Sequence, residues 1–315
     1  MIKSRAIWFF TPSNPTIAFG GFEGEGKREI YAQLPSHLIP KTIYIEPAMS
    51  LQMVEDLLRE AKISYPFIAK PDVGMKGVLF RKIDNSEHLA AYHQQIPAMY
   101  LIQELIDLPL EVSVFYYRHP AADKGTVSGF FAKELLHITG NGTDAIHTLI
   151  KANPKAILRM QELRRKHGHL FEHVLQNGEK YYLSYAGNHN RGARFISLKH
   201  EIDNALHKVF DDLHSQVPHF YYGRYDIKTK SVEDLKAGKN FYILEYNGSG
   251  AEPNHIYDAG ISLWSAYREI LRHWNALYEI SKYNHQNGFP YWSFKQGSAF
   301  LRKSNEHFKK LKPFE

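Results

Sequence analysis

Two stretches decide how this chain is read: Tyr221-Tyr222-Gly223-Arg224-Tyr225-Asp226-Ile227-Lys228 and Phe241-Tyr242-Ile243-Leu244-Glu245-Tyr246-Asn247-Gly248. Both are rich in aromatic and branched residues, as strands are. The break between them opens with Ser231-Val232-Glu233-Asp234, a helix-start pattern, and reaches Gly238 and Asn240, so it predicts one short helical turn between neighbouring strands. Side chains alternate along a strand, so Glu245 and Asn247 share a face, and an adjacent strand could bring Asp226 to it. Three oxygen donors would then converge. Hard oxygen ligands without Cys or an obligatory His suit Mg²⁺, with Mn²⁺ as the alternative ion. Arg224 and Lys228 fall on the same face as Asp226, and a cluster of both signs suits a magnesium-bound polyphosphate. On this stretch alone, a hairpin with exposed charges accounts for the pattern equally well.

The rest of the chain narrows the choice. At 315 residues, 43% hydrophobic and 23% charged, it is long enough for two or three packed units. It has no cysteine, which removes disulfides, thiolate zinc sites and a cysteine nucleophile. The apolar run Ala6 to Phe10 is too short for a signal sequence, and no run approaches the length needed to span a bilayer, so a soluble cytoplasmic protein is expected. The net charge of +6 comes from basic residues scattered among acidic ones, which argues against nucleic acid or a membrane as partner. The 20 Tyr and 19 Phe lie mainly in strand-like runs and read as core.

Gly21, Gly26 and Lys27 have the spacing of a phosphate-binding P-loop, but Arg28 stands where that loop needs Ser or Thr, and Glu23 and Glu25 bring negative charge. An amphipathic helix is predicted from Ser50, followed by strand Tyr65 to Lys70, a loop with Gly74, Lys76 and Gly77, and another strand. Backbone amides in such a loop can wrap an anion; an ordinary hairpin with a flexible tip is the plainer reading. Ser86 to Gln95 reads as a helix, and Met99 to Ile106 as a buried strand ending in a hinge at Asp107-Leu108-Pro109. Free backbone groups there could pair with the edge of an adenine, and Glu111 could accept from ribose hydroxyls; a domain linker is the alternative.

Strands are predicted at Glu111 to Tyr117 and Thr126 to Leu136, and a helix over Thr143 to Ala152. A second helical stretch from Pro154 contains His169-Leu170-Phe171-Glu172-His173, a pattern of some zinc peptidases, without an evident third ligand. Lys180 to Ala186 and Arg194 to Leu198 read as paired strands joined by a turn carrying Arg191, which suits a phosphate oxygen. A helix over Ile202 to His214 precedes the opening stretch, and a long one over Leu263 to Tyr283 follows it.

Taken in this order, Lys70, the glycine loop, Gln103-Glu104-Leu105-Ile106, Asn188-His189-Asn190-Arg191-Gly192, Asp226 and Glu245-Tyr246-Asn247 resemble the ATP-grasp superfamily over roughly residues 25 to 260. The resemblance implies an α+β fold in which two subdomains grip ATP. Residues 1–40 would form a short N-terminal region, 41–107 the lid, 108–262 the core with the metal site, and 263–315 a helical C-terminal extension. It also implies roles. Lys70 and, as a weaker match, Lys27 would meet ATP, with Gly74, Lys76 and Gly77 over its phosphates and Gln103, Glu104, Leu105, Ile106 and Glu111 around its base and ribose. Asp226, Glu245 and Asn247 would hold Mg²⁺, and Arg191, Arg224 and Lys228 would serve the chemistry.

The Asn-x-x-Arg-Gly turn is similar to that of ligases that extend a ribosomal-protein tail with glutamate, and Ile138 to Ile150 to a stretch of cyanophycin synthetases; the whole also resembles D-alanine–D-alanine ligase, and so the carboxylate–amine ligases. The implied reaction joins a small-molecule or peptide carboxylate to an amine. A phosphotransferase acting on a hydroxyl and a nucleotide-binding module without turnover are the alternatives, and a homo-oligomer is compatible with either. About 40 residues precede the lid, fewer than such ligases usually carry.

Overall fold

The computed structural model describes residues 3–185, 187, 191–257 and 261–314. The chain divides into one unit formed by Met1–Ala132 with Ser197–Glu315, and a second formed by Lys133–Ile196. The first unit opens with two 3₁₀ turns, Thr11–Ser13 and Ala18–Gly21, and the short helix α1 (Lys27–Tyr31). Strands β1 (Thr42–Ile45), β2 (Phe67–Pro71), β3 (Arg81–Ile83) and β4 (Tyr100–Glu104) then form an antiparallel sheet in the order β1-β4-β2-β3. Helix α2 (Leu51–Ala61) starts where Ser50 accepts from the Met53 N–H, and α3 (Ser86–Gln95) where Asn85 accepts from the His88 N–H. Val54 and Leu58 from α2 and Leu89 and Tyr92 from α3 pack on Ile45, Phe67, Ala69 and Ile102. Strand β2 is buried along its whole length, which takes Lys70 out of water with it.

Strands β5 (Leu110–Tyr117) and β6 (Thr126–Glu134) follow, and the chain passes into the second unit. There β7 (His137–Thr139) pairs with β8 (Lys180–Tyr182), while α4 (Ile146–Ala152) and α5 (Met160–His167) pack around Leu136, Leu163 and Leu175. Three sequence expectations change here. Strand β8 pairs with β7 and not with β9 (Arg194–Ser197). Helix α4 begins at Ile146, since Ala145 is still extended. The helix expected to carry both His169 and His173 stops at His167, and a 3₁₀ turn, Gly168–Leu170, follows. The two histidines are therefore not one α-helical turn apart, and among the described residues no group of three His, Cys, Asp or Glu could hold a metal.

Back in the first unit come α6 (Asn204–Gln216), β10 (Tyr222–Thr229), α7 (Val232–Lys236) and β11 (Phe241–Asn247). Ser231 accepts from the Asp234 N–H to start α7, so the expected helical turn fills the break between the two strands. The sheet order runs β11-β10-β5-β6, antiparallel. One face packs Val112, Val114, Tyr225, Ile227, Ile243 and Tyr246 with Leu206, Phe210 and Leu213 of α6. By alternation, the opposite face carries Glu111, Ser113, Arg224, Asp226 and Lys228. Gly223 sits where a Cβ would lie 2.4 Å from the Tyr246 ring.

The chain closes with α8 (Leu263–Gln286) and α9 (Phe294–Leu311). Phe10 and Phe19 pack with Leu277 and Ile280 of α8 and with Phe115 and Tyr222. Trp292, in the turn between the two helices, lies 5.3 Å from Phe19 ring to ring, and its backbone N–H donates to Thr11 Oγ1 at 3.1 Å. The aromatic tail thus braces the N-terminal turns. Buried Asn14 ties those turns to β10: its amide donates to the Gly20 and Tyr222 carbonyls, and its oxygen accepts from the Tyr222 N–H. Among the described residues no helix is long and apolar enough to cross a membrane.

Candidate functional site

In the β10/β11 pair, Arg224 lies opposite Asn247 and Asp226 opposite Glu245, but Ile227 lies opposite Ile243. Leu244 is therefore the extra residue of a β-bulge, the device that re-aims groups on a bulged strand. Its carbonyl accepts from the Lys70 ammonium at 3.3 Å and, at short range, from the Tyr31 hydroxyl. Lys70 also donates to Tyr31 Oη at 3.1 Å and to Gln103 Oε1 at 3.0 Å. Burial pushes the Lys70 ammonium down to about 8, against the pull of Glu245, Glu111 and Asp226. The same burial raises the Tyr31 phenol well above its ordinary value.

Lys27, at the first position of α1, lies 3.5 Å from Glu245 Oε1 and donates to the Gly74 carbonyl at 3.4 Å. Asp72 organises the same turn, its carbonyl accepting from the Lys27 N–H and its carboxylate from the Arg28 N–H. Burial raises the Glu25 carboxyl above the usual range, with Lys27 opposing and Glu245 reinforcing the shift. Of the residues with P-loop spacing, Gly21 thus ends a 3₁₀ turn, Gly26 is the extended residue before α1, and Lys27 opens that five-residue helix facing a carboxylate.

Asp226 is buried. Ser113 donates to its Oδ1 at short range, Arg224 Nε at 3.1 Å, and the Asn247 amide reaches Oδ2 at 3.4 Å. Lys228 stands opposite Glu111 on β5 and donates to the Leu108 carbonyl at 3.0 Å. Asp226, Glu245, Asn247, Arg224, Lys27 and Lys70 therefore form one connected cluster, and the donors Asp226, Glu245 and Asn247 supply two carboxylates and an amide. That oxygen-rich set fits Mg²⁺, which binds through one or two carboxylates plus substrate phosphates.

The hinge differs from the simple expectation of free backbone. Gln103 and Glu104 are central in the sheet, paired with β1 or its flank on one side and with β2 on the other, and the Glu104 N–H donates to the Lys41 carbonyl. The Glu104 carboxylate accepts from the Lys41 N–H at 2.9 Å. Leu105 and Ile106 run on beyond β4 as half-buried coil. The glycine loop turns sharply, with Lys76, Gly77 and Leu79 all at left-handed φ, a conformation that only Gly77 adopts freely. Its start is held from α9, where His307 Nε2 bonds the Val73 carbonyl at 2.8 Å.

Arg191 lies in the second unit, with its guanidinium on Glu162 Oε1 at 3.0 Å. Lys166 at 2.7 Å and Arg159 also engage Glu162, whose carboxyl is held down to about 2 by these cations against the opposing effect of burial. Asn188, His189 and Asn190 of the same turn lie outside the described residues, as does Asp258. Sequence reading missed Tyr31, Asp72 and Ser113. Ser113 was open to discovery, since alternation along β5 puts it on the face of Glu111; Tyr31 follows Lys27 by one helical turn, but α1 is too short to announce itself.

No protein-family model matches the chain, and neither does any curated protein. Among solved structures, D-alanine–D-alanine ligase from Bacillus anthracis is similar at 13% identity and a TM-score of 0.47, over 84% of this chain and 69% of that one. VanG D-Ala:D-Ser ligase from Enterococcus faecalis is similar at 13% identity and a TM-score of 0.45, over 84% and 63%. A bifunctional glutathione synthetase from Pasteurella multocida is similar at 12% identity and a TM-score of 0.37, over 78% of this chain and 34% of that chain's length. These likenesses are remote, and any function of this chain has to be read from its own residues.

Proposed function

We propose that this chain is a Mg²⁺- and ATP-dependent ligase of the ATP-grasp type that joins a carboxylate to an amine. What supports the reading is the junction at the β10/β11 bulge, where Asp226 and Glu245 oppose each other and Lys70 arrives from another sheet onto the Leu244 carbonyl. Asp226, Glu245 and Asn247 would hold the metal, and Gln103 to Ile106 with Glu111 the base and ribose. ATP supplies a phosphoryl group that turns a carboxylate into an acyl phosphate open to amine attack.

The chain's own contribution is charge and position. ATP carries about four negative charges, and a cation 4 Å away contributes about 4 kcal/mol in a partly screened site against about 1 in water. Lys70 and Lys27 supply such charge at the junction, Arg224 and Lys228 along β10, and Lys76 from the glycine loop. Arg191 is assigned to the same chemistry by its motif alone. Ser113 fixes Asp226 and Tyr31 fixes Lys70, so both charged groups are oriented before any ligand arrives. The Gly74 to Gly77 loop, tethered through the Val73 and Gly74 carbonyls, would exclude water from the phosphates.

A screen for ADP release across amino acids and small peptides, with products identified by mass, tests the assignment. An amide or peptide product formed with ADP and phosphate is expected. A phosphoester product would establish the phosphotransferase instead, and no Mg²⁺-dependent nucleotide binding would remove both.

A further inference from the structure

Helix α8 carries a surface stripe that the nucleotide site does not explain. Trp264, Tyr267, Leu271 and Trp274 are 84%, 53%, 66% and 63% exposed, and their spacing of three, four and three residues is the a/d repeat of a helix that packs along another helix. The helix already has its inward face, formed by His273, Leu277, Ile280 and Asn284. The exposed stripe lies about a third of a turn away from it. The next position of the repeat, Tyr278, is half-buried with its ring 6.2 Å from Phe9, so the chain's own N-terminal segment covers that end of the seam and leaves the other four positions bare.

We infer that this stripe is the contact between two copies of the chain, with the two α8 helices antiparallel across a two-fold axis near residue 269. In that register each a position meets a d position: Trp264 of one copy lies against Trp274 of the other, and Tyr267 against Leu271. The sequence of the stripe is thus complementary to itself, as an isologous interface requires. Together with the neighbouring Leu263, which is 69% exposed, the four side chains present about 700 Å² per copy, larger than the apolar patches monomers usually expose, and a pair would bury up to about 1,400 Å², which reaches the range of stable interfaces.

The charges beside the stripe favour a second copy over a lipid surface. Glu269 pairs with Arg272 at 2.6 Å and Glu279 with Lys282 at 3.7 Å, and Arg268 adds one further cation, so the flank carries both signs with a small positive balance, whereas a helix lying on a membrane carries a strongly basic polar face.

Sedimentation equilibrium of the full chain should show a monomer–dimer equilibrium in the micromolar range. Trp264→Glu with Trp274→Glu should raise the dissociation constant at least about 30-fold, with circular dichroism and melting temperature unchanged because both rings are exposed. Because the chain has no native cysteine, orientation can be read directly. Oxidising an equimolar mixture of Tyr267→Cys and Leu271→Cys should give the mixed disulfide as the main cross-linked species. A wild-type chain that stays monomeric at 200 µM overturns the inference, as does a dimer indifferent to the two tryptophan substitutions. Leu271→Cys linking chiefly to itself would mean parallel helices and refute the register. A monomer that binds phosphatidylglycerol vesicles through Trp264 and Trp274 would assign the stripe to a lipid surface instead.

Discussion

If the chain binds ATP as proposed, Lys70 sets a pH limit on that binding that can be worked from its surroundings. Buried on β2, the ammonium is shifted down to about 8, so it is about nine-tenths charged at pH 7 and about one-tenth charged at pH 9. If only the charged form receives the phosphates, the apparent dissociation constant scales inversely with that fraction, and affinity falls about 30-fold between pH 7 and 9.5. Phosphates, with a second pKa near 6, are already ionised across this window and add no slope of their own. Isothermal titration with a non-hydrolysable ATP analogue and Mg²⁺ should record the fall, together with proton uptake of up to one per site above pH 8. Lys70→Arg stays charged throughout and should give a flat profile; Lys70→Met should bind weakly at every pH. A flat wild-type profile, or the same slope in Lys70→Met, would refute the assignment of Lys70 to the phosphates. On stability the same lysine acts in the opposite direction. Its folded value lies below the unfolded one, so burial of the charge opposes folding most below pH 8, and stability rises between pH 8 and about 10.4, where only the unfolded chain keeps the proton.

Asp226→Asn and Glu245→Gln should each abolish the Mg²⁺ dependence of nucleotide binding while leaving the melting temperature within a few degrees; unchanged magnesium titrations in both would remove the metal assignment. Gly223→Ala places a methyl 2.4 Å from the Tyr246 ring and should cost about 1–3 kcal/mol in urea unfolding, with no loss meaning that β10 and β11 part more easily than their packing implies. His214 is buried with its ring nitrogen Nδ1 on the Phe220 carbonyl, and burial lowers its pKa to about 4. Its neutral form therefore stabilises the fold fully above pH 6.5, and that stability is lost as pH falls from 6.5 towards 4, a loss that His214→Gln should reduce in acid-unfolding titrations.

Much of this architecture is legible in the chain because local chemistry and tertiary packing agree. Strands β10 and β11 and the turn between them follow from aromatic alternation and a serine cap, and the convergence of Asp226 and Glu245 follows from alternation plus adjacency. The bulge at Leu244 does not, since nothing in Ile243-Leu244-Glu245 distinguishes a slipped register from a regular one. The partner of β8 was misread because three-residue strands carry little pattern, and pairing is then chosen by the packing of Leu136, Leu163 and Leu175. The helix expected through His169 and His173 stops short for a related reason: the backbone leaves the helical region at His167, before the spacing of the two histidines can act. Tyr31 and Asp72 are invisible to pattern because their roles depend on segments far apart in sequence meeting at Lys70 and Lys27.

The bulge also makes Lys70 a latch. Three hydrogen bonds from one buried ammonium join β2 to Gln103, to Tyr31 and, through the Leu244 carbonyl, to β11, so the two sheets cannot part without stripping a charged group of its partners. A phosphate oxygen that captures this ammonium competes with the Leu244 carbonyl for the same protons. On the proposed reading, ligand arrival would draw on the bond that holds the sheets together, and occupancy and spacing would become linked quantities: what tightened the grip on the phosphate would slacken the grip of one sheet on the other.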